Sequence, residues 1–365
     1  MSRTVWYLAG SFCVLSLGLG GCSTPRVGPL PASDRYEICQ PEMVGWDFAE
    51  AQREIDAGNH AEGLALLRRV LLACPEFMPA HLAYQRAACE QAGAAHQEMI
   101  EFYTGANQLP GSPVTPFMKA LLATEDFDRL QLLEESVNRD RSFYYGHLEL
   151  GRLRRSLSKP QLAMPHLRDA LQARESFAEA KKELAGVLEE LGQYEEAEAL
   201  LAAYLRARPD DDDALRTRVR LLIYDLGRPR DAKAGVESLK KRHDDLDLLM
   251  HDAAIVWRLS EGRDDLKKAA DEYHRVLQVD AHNDIAVLNL ANLYYGPLAQ
   301  GSDQSKREYW PKARNAYRYY CDVAQIEGFA DFFDRYGVVV SRLRVIDGFL
   351  GQEKGPPRKI TLADF

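Results

Sequence analysis

The side chains with chemical potential in this sequence are nine histidines and six cysteines. The histidines stand at 60, 81, 96, 147, 166, 243, 251, 274 and 282, and none makes a His-Glu-x-x-His pair or shares ligand spacing with a cysteine. Those are the spacings by which a helix or a knuckle grips zinc. His243-Asp244-Asp245 and His251-Asp252 set acids beside imidazoles, but acidic pairs at helix ends serve as caps and solvated faces. No glycine-rich phosphate loop and no Gly-x-Ser-x-Gly nucleophile elbow occurs. The expectation is a protein that is not an enzyme, with no catalytic residues, no cofactor and no metal.

Composition narrows the classes further. The chain of 365 residues is 46% hydrophobic and 28% charged, with 46 Lys+Arg against 55 Asp+Glu. Disorder, collagen-like structure and a polytopic membrane protein fit these values poorly. The net charge of -9 repels phosphate backbones, so no nucleic-acid partner is expected.

The first residues are an address, not part of the fold. Arg3 precedes an apolar stretch from Val5 to Leu19 and then Gly20-Gly21-Cys22, a charged region, a short apolar run and small residues before a cleavage site. Leu19-Gly20-Gly21-Cys22 resembles the lipobox of bacterial lipoproteins. That resemblance implies a signal peptide over 1–21, acylation of Cys22 (palmitate among the expected chains) and, with Ser23 following, an outer-membrane anchor on the periplasmic face. Two acyl chains hold stably where one is marginal, at about 0.8 kcal/mol per buried CH₂. Pro25, Pro29, Pro31 and Pro41 make 22–43 read as an extended, flexible tether with no core of its own.

The elements that must position any functional residue follow a period of 34. In 178–211, Ala185, Gly192, Tyr194, Ala197, Leu201 and Pro209 occupy steps 8, 15, 17, 20, 24 and 32. In 144–177 the matching places hold Gly151, Ala163, Leu167 and Ala170, and in 44–77 they hold Ala51, Gly58, Gly63, Leu67 and Pro75. This resembles the tetratricopeptide repeat (TPR), whose paired helices need small residues at steps 8 and 20 where they cross. The implied fold is all-α, a TPR-type helical-hairpin solenoid over 44–328 with about eight helix pairs. Its units lie near 44–77, 79–112, 113–143, 144–177, 178–211, 213–246, 248–283 and 284–328. Glu98 and Arg220 depart from the pattern where a small residue is preferred, and extra residues fall between helices in the last two units. A capping helix is expected over 329–350, with Phe332, Phe333, Tyr336, Val340 and Leu343 on its apolar side. Gly355, Pro356 and Pro357 then stop it, leaving 351–365 as a tail, disordered or a short recognition peptide.

Disulfides are permitted in an oxidising envelope compartment. Cys39 and Cys321 should lie at opposite ends of the array, while Cys74 and Cys89 are either a pair or two buried thiols acting as small apolar residues.

The resemblance also places a partner-binding groove along the first helix of each unit, at steps 2, 5, 9 and 12. Those steps include Tyr145, Leu148, Arg152 and Arg155, then Lys182 and Glu189, then Thr217, Leu221 and Tyr224, then Val256, and last Leu288, Asn292 and Tyr295. Aromatic and aliphatic anchors among separated charges suit an extended peptide or a helix from another envelope protein. The expected function is a scaffold in assembly of a pilus, secretion, motility or outer-membrane complex. A second reading places a small-ligand or enzymatic site in the C-terminal third, at Trp310 beside an inserted loop over 297–308.

Overall fold

The computed structural model describes residues 35–38, 42–91, 93–105, 111–327, 332–351 and 360–365. The expected signal peptide, Cys22 and most of the tether lie outside them. The described residues form seventeen α-helices and no strand, and none of these helices is long and apolar enough to cross a membrane. The chain divides into two compact units, one up to Ala92 and one from Gly93.

The first unit holds α1 (Glu42–Asp56), α2 (His60–Ala73) and α3 (Met78–Gln91). At Gly63 an added Cβ would lie 2.5 Å from the Ile55 side chain and 3.1 Å from the Ala51 carbonyl oxygen, which is why steps 8 and 20 demand small residues. Leu67, Val70, Tyr84 and Ala88 complete the core. Tyr36, placed by the sequence in a tether, is fully buried, and its carbonyl accepts from Met78 N at 2.9 Å. That end of the tether therefore folds with the unit. Cys74 is in a disulfide, and not with Cys89, which sits exposed on α3 as a thiol.

The second unit continues with α4 (Gly93–Thr104), α5 (Val114–Leu122), α6 (Asp126–Arg139), α7 (Tyr144–Ser156), α8 (Pro160–Ala173), α9 (Ala178–Glu190) and α10 (Tyr194–Ala207). Then come α11 (Asp212–Arg220) with a π-helical segment (Leu221–Asp225), α12 (Pro229–Lys240), α13 (Leu246–Leu259), α14 (Arg263–Val279), α15 (Asp284–Tyr295), α16 (Asp303–Glu327) and α17 (Phe332–Leu350). Ala163, Ala197, Ala232, Ala269 and Ala313 are all fully buried where helices of a hairpin cross. The turn residue between helices has positive φ, +73° at Gly192 and +57° at Ser158, the one non-glycine residue described there in a conformation that costs an L-residue about 1–2 kcal/mol.

Arg220 shows how a departure from the repeat is absorbed. Its side chain turns to Glu189 of the preceding hairpin and to Asp225, and the close crossing moves to Gly235, whose added Cβ would lie 2.7 Å from Val219. The π-helical turn that follows shifts the register by one residue.

Three expectations near the end of the sequence change. Residues 303–308 are not loop but the first turns of α16, and only 296–302 connect it to α15. On α17 the buried face is Val339 and Ile346, flanked by Leu343 and Leu350, while Tyr336 is exposed. The tail is docked rather than disordered over 360–365: Ile360 and Phe365 enter the core, Asn315 Nδ2 donates to the Asp364 carbonyl at 2.8 Å, and Thr361 and Asp364 cap a short turn.

Candidate protein-binding groove

The first helices of the central hairpins are stitched together by side chains of one register. Arg152 on α7 reaches Glu183 on α9 at 2.8 Å and Glu149 on its own helix at 2.7 Å. Arg155 reaches Glu190 at 2.7 Å and Glu183 at 3.3 Å, lying over Gly186, where an added Cβ would meet its guanidinium at 2.7 Å. Glu189 on α9 takes Arg220 on α11. Arg216 on α11 takes Asp245 and Asp247 ahead of and on α13, and the Tyr224 ring meets His251 of α13 edge-on at 5.7 Å with Arg258 above it.

Asp211 is the best-held carboxylate of the row. Burial pushes its pKa up, but hydrogen bonds from Lys182 at 2.7 Å, Tyr204 at 2.6 Å and Ala214 N at 2.9 Å outweigh that and hold it at about 2. The Tyr204 hydroxyl is pushed up to about 12, by burial first and then by Asp211. Arg152, Arg155, Lys182 and Glu189, expected to meet a partner, thus already have partners within this chain. Such exposed pairs are each worth about 0.2–1 kcal/mol and can open at similar cost.

The other groove residues divide. Tyr145, Thr217 and Val256 are half-buried, and Tyr224 is 39% exposed. Leu148 and Leu221 are core, at 3% and 0% exposure, Leu221 at the start of the π-helical turn. At the far end α17 reaches the row through Arg342. Arg342 donates to Asn292, bonds the Tyr317 hydroxyl at 2.8 Å, and lies 5.3 Å from the centre of the Tyr295 ring, while Leu288 packs against the same core. Trp310 is also core: its ring stacks on Tyr295 at 5.7 Å, meets Phe349 edge-on at 5.0 Å, and its Nε1 donates to the Tyr295 carbonyl at 2.9 Å. The space that sequence offered for a ligand at Trp310 is filled by the chain itself.

One grouping was missed by reading spacing along the chain. His147 on α7 stands beside His166 and Asp169 on α8. The signal was in the repeat register, which sets step 4 of a first helix against steps 23 and 26 of the second.

This repetition defines the class: the protein has an all-α, TPR-type helical-hairpin fold. The tetratricopeptide repeat family model matches residues 155–222. YrrB, described as a TPR protein with an unusual peptide-binding site, is 17% identical over 52% of this chain and 91% of its own, with a TM-score of 0.40. PilW, described as a widely conserved type IV pilus biogenesis factor, is 19% identical over 57% of this chain and 98% of its own, TM-score 0.40. A TPR protein from Parabacteroides merdae is 15% identical over 69% of this chain and 99% of its own, TM-score 0.36. The comparison with curated proteins gives no match.

Proposed function

We propose that this protein is a non-catalytic scaffold, lipid-anchored through Cys22 at the periplasmic face of the outer membrane. It binds an extended segment or helix of another envelope protein along the first helices of its central hairpins, in the assembly of a pilus, secretion, motility or outer-membrane complex. The observation that carries the binding surface is the continuous row from Arg152 to Tyr224, where half-exposed aromatic and charged side chains of successive first helices touch one another. A rigid row of this kind offers a peptide an anchor ring at Tyr224 and opened ion pairs on either side. The Cys74 disulfide accords with an oxidising compartment, and the lipobox supports the anchor.

The test is photo-crosslinking in cells of the native source with a crosslinkable residue at Tyr224, or at Leu162 on α8 as the control, each combined with Cys22→Ala. Tyr224 should capture an envelope protein that Leu162 does not, and Cys22→Ala should release the protein from the membrane fraction. Equal capture at both positions defeats the groove, and unchanged membrane association defeats the anchor.

A further inference from the structure

The α7–α8 hairpin holds a set of polar atoms that the groove does not use. His147 is 6% exposed, and its Nε2 lies 3.1 Å from the Arg141 carbonyl oxygen. A carbonyl only accepts, so Nε2 carries the hydrogen and Nδ1 keeps its lone pair. That Nδ1 is buried with no hydrogen bond, as is Nδ1 of His166. An orphaned buried nitrogen costs about 1–3 kcal/mol, and two on neighbouring rings call for a partner. The two rings are 5.8 Å apart, and Asp169 completes the group, with Oδ2 3.8 Å from His147 Nδ1.

We infer that His147, His166 and Asp169 form a binding site for a divalent transition-metal ion of the Zn²⁺ kind. One donor atom from each residue lies within 4.8 Å of the others. Around an ion with bonds of about 2.0–2.2 Å these atoms would stand roughly 3.4 Å apart, so closure needs about an ångström of movement. Asp169, whose side chain is 50% exposed, is free to supply it by side-chain rotation. Two imidazoles with one carboxylate suit Zn²⁺ better than Mg²⁺ or Ca²⁺, which prefer oxygen. The Arg141 carbonyl accepts the His147 Nε2 hydrogen and fixes the tautomer, as the outer hydrogen bond of a metal-bound histidine does.

The surroundings accept the charge. Arg154 is the cation that opposes an incoming metal, and Glu134 pairs with it at 2.9 Å. The group opens on a cleft of about 690 Å³ lined also by Asn138, Ser142 and Gln172. That leaves a fourth position for water, and the ion would clasp the two helices of one hairpin.

The experiment uses the untagged protein, stripped with chelator and titrated with Zn²⁺ by calorimetry, with Co²⁺ as a spectroscopic probe. One Zn²⁺ per chain is expected, with a raised melting temperature and a four- or five-coordinate Co²⁺ absorption band. His166→Gln and Asp169→Asn, both on the outer side of α8, should each weaken Zn²⁺ binding at least tenfold. Their melting temperatures in chelator should match that of the native chain, which separates lost ligation from lost folding. No Zn²⁺ binding by the native chain, or unchanged affinity in both variants, overturns the site.

Discussion

The central hairpins, α7 to α12, and the closing part, α13 to α17, share one repeat but differ in what links their first helices. In the centre the first-helix face carries arginine–carboxylate pairs between neighbours and stays in contact with water. At the close the link to the next helix is a single cation, Arg342 of α17, which bonds Asn292 and lies over the Tyr295 ring.

The sharpest way to break this contrast is to unseat α17. Ile346 is fully buried, and Ile346→Asp would put an unpaired carboxylate into the terminal core at about 3–5 kcal/mol, as when a buried pair loses one member. In urea, tryptophan fluorescence, which reports Trp257 and Trp310 of the closing part, should change before the helical circular dichroism carried mostly by the other hairpins. A single unchanged transition would mean that α17 is not what closes the array.

Two titrating groups, one from each region, should register in different pH windows. Burial, then the Lys312 charge, lowers the His274 pKa, so the unfolded chain takes a proton near 6.5 that the folded chain refuses. Stability at the closing end therefore falls as pH drops below about 6.5. Asp211 is lowered from 3.8 to about 2; its contribution is complete above 3.8 and is lost as pH falls toward 2. Discounted for solvent screening it is worth about 1 kcal/mol. His274→Gln should lessen the slope in the upper window and Asp211→Asn that in the lower, read from melting temperature against pH.

The smallest effect tests the central pairs directly. Glu183→Gln removes a carboxylate shared by Arg152 and Arg155 and should cost about 0.5–1 kcal/mol at low salt. The loss should vanish near 1 M salt, where the Debye length is about 3 Å. A loss that persists there would make these contacts packing rather than charge.

What was legible in the sequence is what repeats. Small residues at crossings and a turn residue after each first helix recur because every hairpin solves the same packing problem, and Ala197 and Gly192 announce it. The groove steps were legible as positions but not as surroundings. Leu221 reads as a groove step until it is seen buried at the start of the π-helical turn, and Arg152 reads as an available charge until Glu183, a full repeat away, comes beside it. Phe365 and Ile360 follow a Gly-Pro-Pro stop, and two apolar residues leave too faint a pattern to predict docking. The His147–His166–Asp169 group stayed hidden because ligand motifs are counted along one helix, whereas this one spans two.

The arginine–carboxylate row has a kinetic consequence. Charges already matched within an ångström-scale lattice cast little field beyond it, so a partner is not drawn in from a distance. Encounter at this face should proceed at the unsteered rate of about 10⁵–10⁶ M⁻¹s⁻¹. Selection among partners then falls to residence time, set by how well a segment holds Tyr224 once the pairs beside it have opened.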